Sequence, residues 1–600
     1  MDELAGKGTT ERRWLLSLGA ALLVGYCAFA LAQPNRPGEF SYLSPDEPPF
    51  SAMFGFTYEQ LQSHLARALL LGPALVFMGL GLAGQRRAFS WTDLGLDRSV
   101  DLRRSALVVG AVSVAFSAFV LTAVLHGRAI TDDELSYRHQ ARLLADGRLG
   151  DPNLPRMGWE PFTIESRAGQ TGKYLFGEPL AQVPGTLVGI PALAHLVFAA
   201  LTLLVWFAAV RSSNGVPVAA WATILLACSP MFVFTEATGL SHSTSLLCSV
   251  ATGLGLQYCR RGRPWRGALL AGTALGFGLT VRPQVLLPVG AVFGGWLVFE
   301  LLRRRQVAAL GAFALALAPW LAAIAAYDQA LTGSPWDLPW SLYVPHEAMG
   351  FDPPHGVERA FSNLAVSAAR FNAWWLGLPL GLGVLAVWIR LGRPHRGLAP
   401  WAAAGLALIA FNFCYYSPGV SDTGPVYYFE LLLPASLLGA LTLSAAFARW
   451  PRPTASLLLV HLVLGTGSFV AEQSARLTRL HRAIYERVDT VLAGIQTPAL
   501  LLYEKEADEA TAAGWVLSFP LRYRSEHDPV LTFPRRSPEE VMQLRTRWPD
   551  RRCYYYRVDP ATHRPELRDC SAAEDLLARR RTLSERPGWM PPATASTLGY

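Results

Sequence analysis

Three carboxylates stand side by side in TDDELSYRHQ, residues 131–140: Asp132, Asp133 and Glu134. A carboxylate within hydrogen-bond reach of a hydroxyl can take its proton while a leaving group departs, which is the work of a general base. An acidic cluster can equally be a solvated patch, so its surroundings decide. Here an apolar run ends near His126, which puts the three charges at the mouth of a membrane segment.

Other residues could share such a site. Tyr137 and Arg138 follow the cluster, Lys173 lies in GKYLFGEP, and Arg282 precedes Pro283 at the end of an apolar run. His242, in GLSHSTS, could orient a substrate or, with the acidic cluster, hold a divalent cation. A lone histidine is more often a hydrogen-bonded structural residue, and the residues leave any cation open. Tyr427, Tyr428 and Trp336 would suit sugar stacking, although aromatic side chains also gather at membrane interfaces without a ligand.

The elements that must position these residues are membrane helices. In 600 residues, 51% are hydrophobic and 16% charged. Such a chain folds only if much of its apolar surface meets lipid, so the fold class is a polytopic α-helical membrane protein. Runs able to span a bilayer read at 14–32, 65–84, 105–126, 183–210, 216–236, 241–259, 267–282, 285–302, 307–327, 373–390, 399–416, 427–448 and 454–471, about thirteen helices. The formal charge of +8 comes from arginine clusters in the short loops, such as Arg260, Arg261, Arg263 and Arg266. They act as topology signals and do not point to nucleic acid.

With a cytoplasmic N-terminus, the basic loops fall inside, and the long loops 127–182 and 328–372 and the tail fall outside. The first run ends in AFALAQ, a pattern a signal peptidase could cut. Ala141, Leu143, Leu144 and Leu149 predict an amphipathic helix lying on the bilayer, with Arg138, Arg142 and Arg148 in water. It would hold the carboxylates just above the lipid. GLGLAG at 79–84 matches a dinucleotide fingerprint literally but lacks the strand and crossover that motif needs. GTALG at 272–276 reads as small residues for close helix packing.

The chain divides into an N-terminal hairpin with its loop (1–104), a transmembrane core (105–471) and a small extracytoplasmic α/β domain (472–600). In the last part, ALLLY, PVLTF and CYYYRV read as strands and SPEEVMQLRTRW as a helix opened by Ser537. Cys553 and Cys570 flank the last strand outside the cytoplasm and are disulfide candidates.

The order apolar helix, Asp-Glu-x-x-Tyr, helix closing in Ala-Asp-Gly, then GKYLFGEPLAQVPG (172–185) resembles the first external loop of GT-C glycosyltransferases. Protein mannosyltransferases and bacterial lipid A aminoarabinose transferases are the branches it is most similar to. SPMFVFTEATGLSHSTSLL (229–247), ALLAGTALGFGLTVRP (268–283), YDQALTGSPWDLP (327–339) and GPVYYFELLLP (424–434) continue the likeness, which covers roughly 105–450. The resemblance implies inverting transfer of a sugar from a polyprenyl-phosphate donor to an envelope glycan, lipid or protein, at the outer face of a bacterial inner membrane. It also implies Asp133 as the base, with Arg138, Lys173 and Arg282 offsetting the leaving phosphate.

Two positions depart from the pattern. Glu178 precedes Pro179 where the aminoarabinose branch has a phosphate-contacting lysine, and Val426 stands where bacterial relatives often have arginine. A catalytically silent GT-C-like scaffold is therefore one alternative. A transporter or lipid-handling protein is another, although few ionisable residues fall inside the predicted helices.

Overall fold

The apolar runs form helices because nothing in lipid can satisfy a backbone amide except the segment itself. The computed structural model describes residues 9–32, 52–53, 56–57, 66–83, 99–152, 163–343, 349–351, 356–377, 397–415, 417, 419, 421–503, 529–534, 538–558 and 565–578. An N-terminal hairpin pairs α1 (Thr9–Ala32) with α2 (Gly72–Ala83), which follows a π turn at Arg67–Leu71. Buried Arg67 ties the hairpin to the rest: it pairs with Glu472, donates to the Gly377 carbonyl and lies 4.8 Å from the Phe469 ring. The GLGLAG glycines serve packing, since a Cβ on Gly79 would strike Leu457 and one on Gly81 would strike Leu16.

The core begins with α3 (Ser99–Phe119), prolonged by a π turn at Val120–Val124, and α4 (Asp132–Ala145). A hairpin of β1 (Thr163–Ser166) and β2 (Gly169–Gly172) leads into α5 (Gly177–Leu187). Then come α6 (Leu193–Ala227), α7 (Pro230–Glu236), α8 (His242–Arg260), α9 (Pro264–Val281), α10 (Pro283–Arg303) and α11 (Val307–Leu331). After α12 (Val357–Leu376) and α13 (Ala399–Phe413), a 3-10 turn at Val426–Leu431 enters α14 (Leu432–Arg449). α15 (Pro451–Val460) and α16 (Gly467–Ala493) are joined by a π turn.

Among the described residues, six helices are long and apolar enough to cross a membrane, and three further apolar helices are shorter. The expected run 373–390 lies mostly outside the described residues. The run expected from 183 divides: α5 is a separate short helix, and α6 starts only at Leu193 because Pro191 precedes it. α6 itself breaks at Gly215, whose φ of 83° lies in the left-handed region, so it holds two of the expected spans. The span expected to reach 236 stops at Ala227, and Pro230 starts α7.

GTALG acts as expected, because a Cβ on Gly272 would meet the Phe313 carbonyl of α11 at 2.6 Å and one on Gly276 the Trp320 ring at 2.4 Å. A continuous apolar core of Trp206, Phe293, Trp401 and Leu437 runs through the bundle.

The C-terminal strands β3 (Ala499–Tyr503), β4 (Val530–Pro534), β5 (Arg552–Val558) and β6 (Pro565–Asp569) form one sheet in the order β4-β3-β5-β6. Central β3 runs parallel to β4 and β5, and β6 returns antiparallel. ALLLY is apolar throughout because both its faces are covered. Val541 and Leu544 of α17 (Pro538–Arg547) cover Leu500 and Leu502, while Val491 and Ile495 at the end of α16 cover Leu501 and Tyr503. Cys553 of β5 is bridged to Cys570, 5.3 Å apart at Cα. The boundary drawn at 472 falls inside a helix, since α16 runs unbroken from the membrane core to this sheet.

Candidate active site

Asp133 sits in the first turn of α4, which starts where it does because Thr131 caps it. Thr131 accepts from the Glu134 amide, and Glu134 accepts from the Thr131 amide, a reciprocal box that Thr-x-x-Glu already announces in the sequence. Glu134 does more. Its Oε2 also takes the Ile130 amide at 2.9 Å, its Oε1 takes the Gly239 amide at 2.8 Å, and it is fully buried. Its carboxylate thus joins the start of α4 to the turn after α7.

Part of the apolar face of the amphipathic helix meets protein, while Leu149 just beyond it is exposed. Leu135, Tyr137, Ala141 and Leu143 are buried, and α4 packs on α5 and β2. The apolar stripe meets protein because the hairpin and α5 return over it. Arg138 closes back on the loop, donating to the Gly127 carbonyl at 2.8 Å and lying 3.8 Å from Glu134. Of Asp132, the structure describes the backbone position at the start of α4.

Lys173 follows directly from β2, and its Nζ lies 3.2 Å from Asp133 Oδ1. Tyr174 donates its hydroxyl to the same oxygen. Both contacts fall on Oδ1, and Asp133 keeps 36% of its side chain exposed while Lys173 is buried. The Tyr174 ring is sandwiched between Tyr137, at 4.6 Å, and Trp340, at 5.4 Å, and Lys173 lies 5.1 Å from the Trp340 ring. Gln140 of α4 fixes the Tyr174 carbonyl at 2.6 Å and donates to the Tyr327 hydroxyl.

Ser241 joins the second half of the site to the first. Its hydroxyl lies 2.9 Å from the Tyr137 hydroxyl and accepts from Arg282 at 3.0 Å. Arg282 in turn stacks on Tyr427 at 5.3 Å. Burial, then the nearby Asp133 charge, push the Tyr137 phenol up.

Asp133, Tyr137, Lys173, Arg282 and Tyr427 therefore form one linked set. His242 stands beside it, 6.5 Å from the Tyr427 ring and 6.2 Å from Phe429. Among the described residues, no three His, Cys, Asp or Glu gather as metal ligands. Tyr428 is buried and offers no open face to a sugar, and Trp336 is exposed and apart from the Tyr174 stack. Glu178 is buried and bonded to His195 at 2.7 Å and to Gln182 at 2.9 Å, while Val426 is buried in its turn.

Tyr174, Trp340 and Ser241 escaped the sequence reading. Tyr174 adjoins Lys173, and Ser241 adjoins His242, so both stood next to residues already singled out. Trp340 carries no local signal, because only the fold brings the loop after α11 over the β1–β2 hairpin.

Several solved structures are similar to this chain. ArnT from Cupriavidus metallidurans bound to undecaprenyl phosphate is 14% identical, covering 78% of this chain and 96% of that one, with a TM-score of 0.49. Archaeal oligosaccharyltransferase AglB from Archaeoglobus fulgidus, with an inhibitory peptide and a dolichol-phosphate, is 12% identical over 71% of this chain and 61% of that one, TM-score 0.37. Arabinosyltransferase EmbB from Mycobacterium smegmatis is 14% identical over 72% and 45%, TM-score 0.39. No family model and no curated protein matches the sequence.

Proposed function

We propose that the chain is a GT-C-type glycosyltransferase of the bacterial inner membrane. It moves a sugar from a polyprenyl-phosphate donor to a cell-envelope glycan, lipid or protein on the outer face, where its C-terminal sheet also lies. The observation that carries this reading is Asp133: a partly open carboxylate with its Oδ1 engaged by Lys173 and Tyr174, at one end of a bundle of membrane helices.

In the proposed step, Asp133 takes the proton of an acceptor hydroxyl as the acceptor oxygen bonds to the anomeric carbon. The anomeric carbon–oxygen bond to phosphate breaks on the opposite face, the configuration inverts, and polyprenyl phosphate leaves with the bonding electrons. Lys173 and Arg282 supply the positive charge that a departing phosphate requires. Neither depends on the lysine that Glu178 replaces, since Glu178 is turned to His195. Tyr427 and Trp340, each half-buried, give the sugar flanking aromatic surfaces.

The test compares envelope lipids and glycans by mass spectrometry between a deletion strain and its parent. The expected result is loss of one hexose, pentose or amino-sugar increment, restored by the native gene. Identical spectra, or accumulation of a solute in sealed vesicles without a covalent product, would overturn the reading.

A further inference from the structure

The loop that positions Asp133 is held from two sides, and one of them belongs to the C-terminal part of the chain. From within, Arg138 holds the Gly127 carbonyl and Glu134 holds the Ile130 and Thr131 amides. From α16, the Tyr485 hydroxyl donates to the buried Ala129 carbonyl at 2.6 Å. Arg128 makes two bonds to Asp489, at 3.0 and 2.9 Å, and its guanidinium stacks on the Tyr485 ring at 4.6 Å. His126, held at a φ of 50°, meets the His481 ring at 4.8 Å. Five residues after His126, Thr131 caps the helix that carries Asp133.

The same helix is welded at its other end to the sheet through Val491 and Ile495. It is therefore a single rigid piece that touches the loop before Asp133, the membrane core and the sheet. We infer that the stretch of α16 from His481 to Asp489 is a strut that positions the base, with Tyr485 as its principal positioning residue. The inference rests on the reading of Asp133 above for its purpose, although not for its test.

The contacts differ in weight. The Arg128–Asp489 pair is exposed on both sides and contributes little alone. Removing the Tyr485 hydroxyl instead leaves the buried Ala129 carbonyl without its partner, which costs more than an ordinary surface bond.

Hydrogen exchange on the full-length protein in lipid nanodiscs tests this without any substrate. Peptides covering 126–140 are compared with peptides from α8. Tyr485→Phe should speed exchange in the first turn of α4 by about fivefold, and Asp489→Arg, which sets like charges together, by a similar factor. Arg128→Asp combined with Asp489→Arg should return exchange to within about twofold of the parent. Unchanged exchange in the Tyr485→Phe protein, or equal acceleration in α8 and α4, overturns the strut. Loss of sugar transfer plays no part in this readout, so failure of the glycosyltransferase reading would appear separately, as a normal exchange pattern in a protein that transfers nothing.

Discussion

Lys173 Nζ lies 3.2 Å from Asp133 Oδ1, a buried ammonium against a partly open carboxylate. The two residues come from different elements, one from the first turn of α4 and the other from the end of the β1–β2 hairpin. Their meeting gives one carboxylate of the acidic run a fixed cationic partner.

Replacing Asp133 by Asn keeps the side chain's shape and its bond from Tyr174 while removing the base. Transfer by the purified protein is expected to fall about 10²–10⁴-fold, with helix content and melting temperature close to the parent's. A variant that still transfers at the parental rate would remove Asp133 from the mechanism.

Loss of either cation is expected to act on the donor. Lys173→Met should lower kcat/KM by about 10²–10³-fold if the ammonium meets charge that develops on the leaving phosphate. Arg282→Lys should not rescue its own site, because a lysine cannot both donate to Ser241 and stack flat on Tyr427. Steady-state assays over a range of polyprenyl-phosphate sugar test both, and a lysine variant of Arg282 with parental kinetics would count against the assignment.

Glu134 is expected to matter for folding first. Glu134→Ala strands the buried Ile130 and Gly239 amides, at about 1–3 kcal/mol for each unsatisfied group. Thermal unfolding in detergent should show a clear drop in midpoint. An unchanged midpoint would mean that the box around Thr131 forms without it.

The disulfide between Cys553 and Cys570 closes a sequence separation of 17 residues. Cys553→Ser is expected to destabilise the sheet by about 3 kcal/mol. Limited proteolysis should then cut within 499–578 earlier than in the parent, while the membrane helices stay protected. Equal cutting in both proteins would show that the sheet does not depend on the bridge.

Much of this protein is legible in its residues alone. Apolar runs announce membrane helices because a buried backbone has few ways to satisfy itself in lipid, and that rule acts on contiguous sequence. ALLLY, the two cysteines and the Thr131-x-x-Glu134 box are local signals of the same kind. Segment ends were harder: Gly215 inside α6 and Pro230 after it redrew two expected spans, since hydropathy averages over residues that backbone geometry separates.

Only the tertiary structure decided who meets whom. Asp133 and Glu134 are neighbours of like type, yet the fold opens one to solvent and spends both oxygens of the other on backbone amides. One face of the predicted surface helix is covered because the hairpin and α5 fold back over it. Trp340 joins Tyr174, Ser241 joins Tyr137 to Arg282, and Tyr485 reaches Ala129, each across long stretches of chain. Residue type sets what a side chain can bond to, and packing of the whole bundle sets which of its possible partners comes within reach.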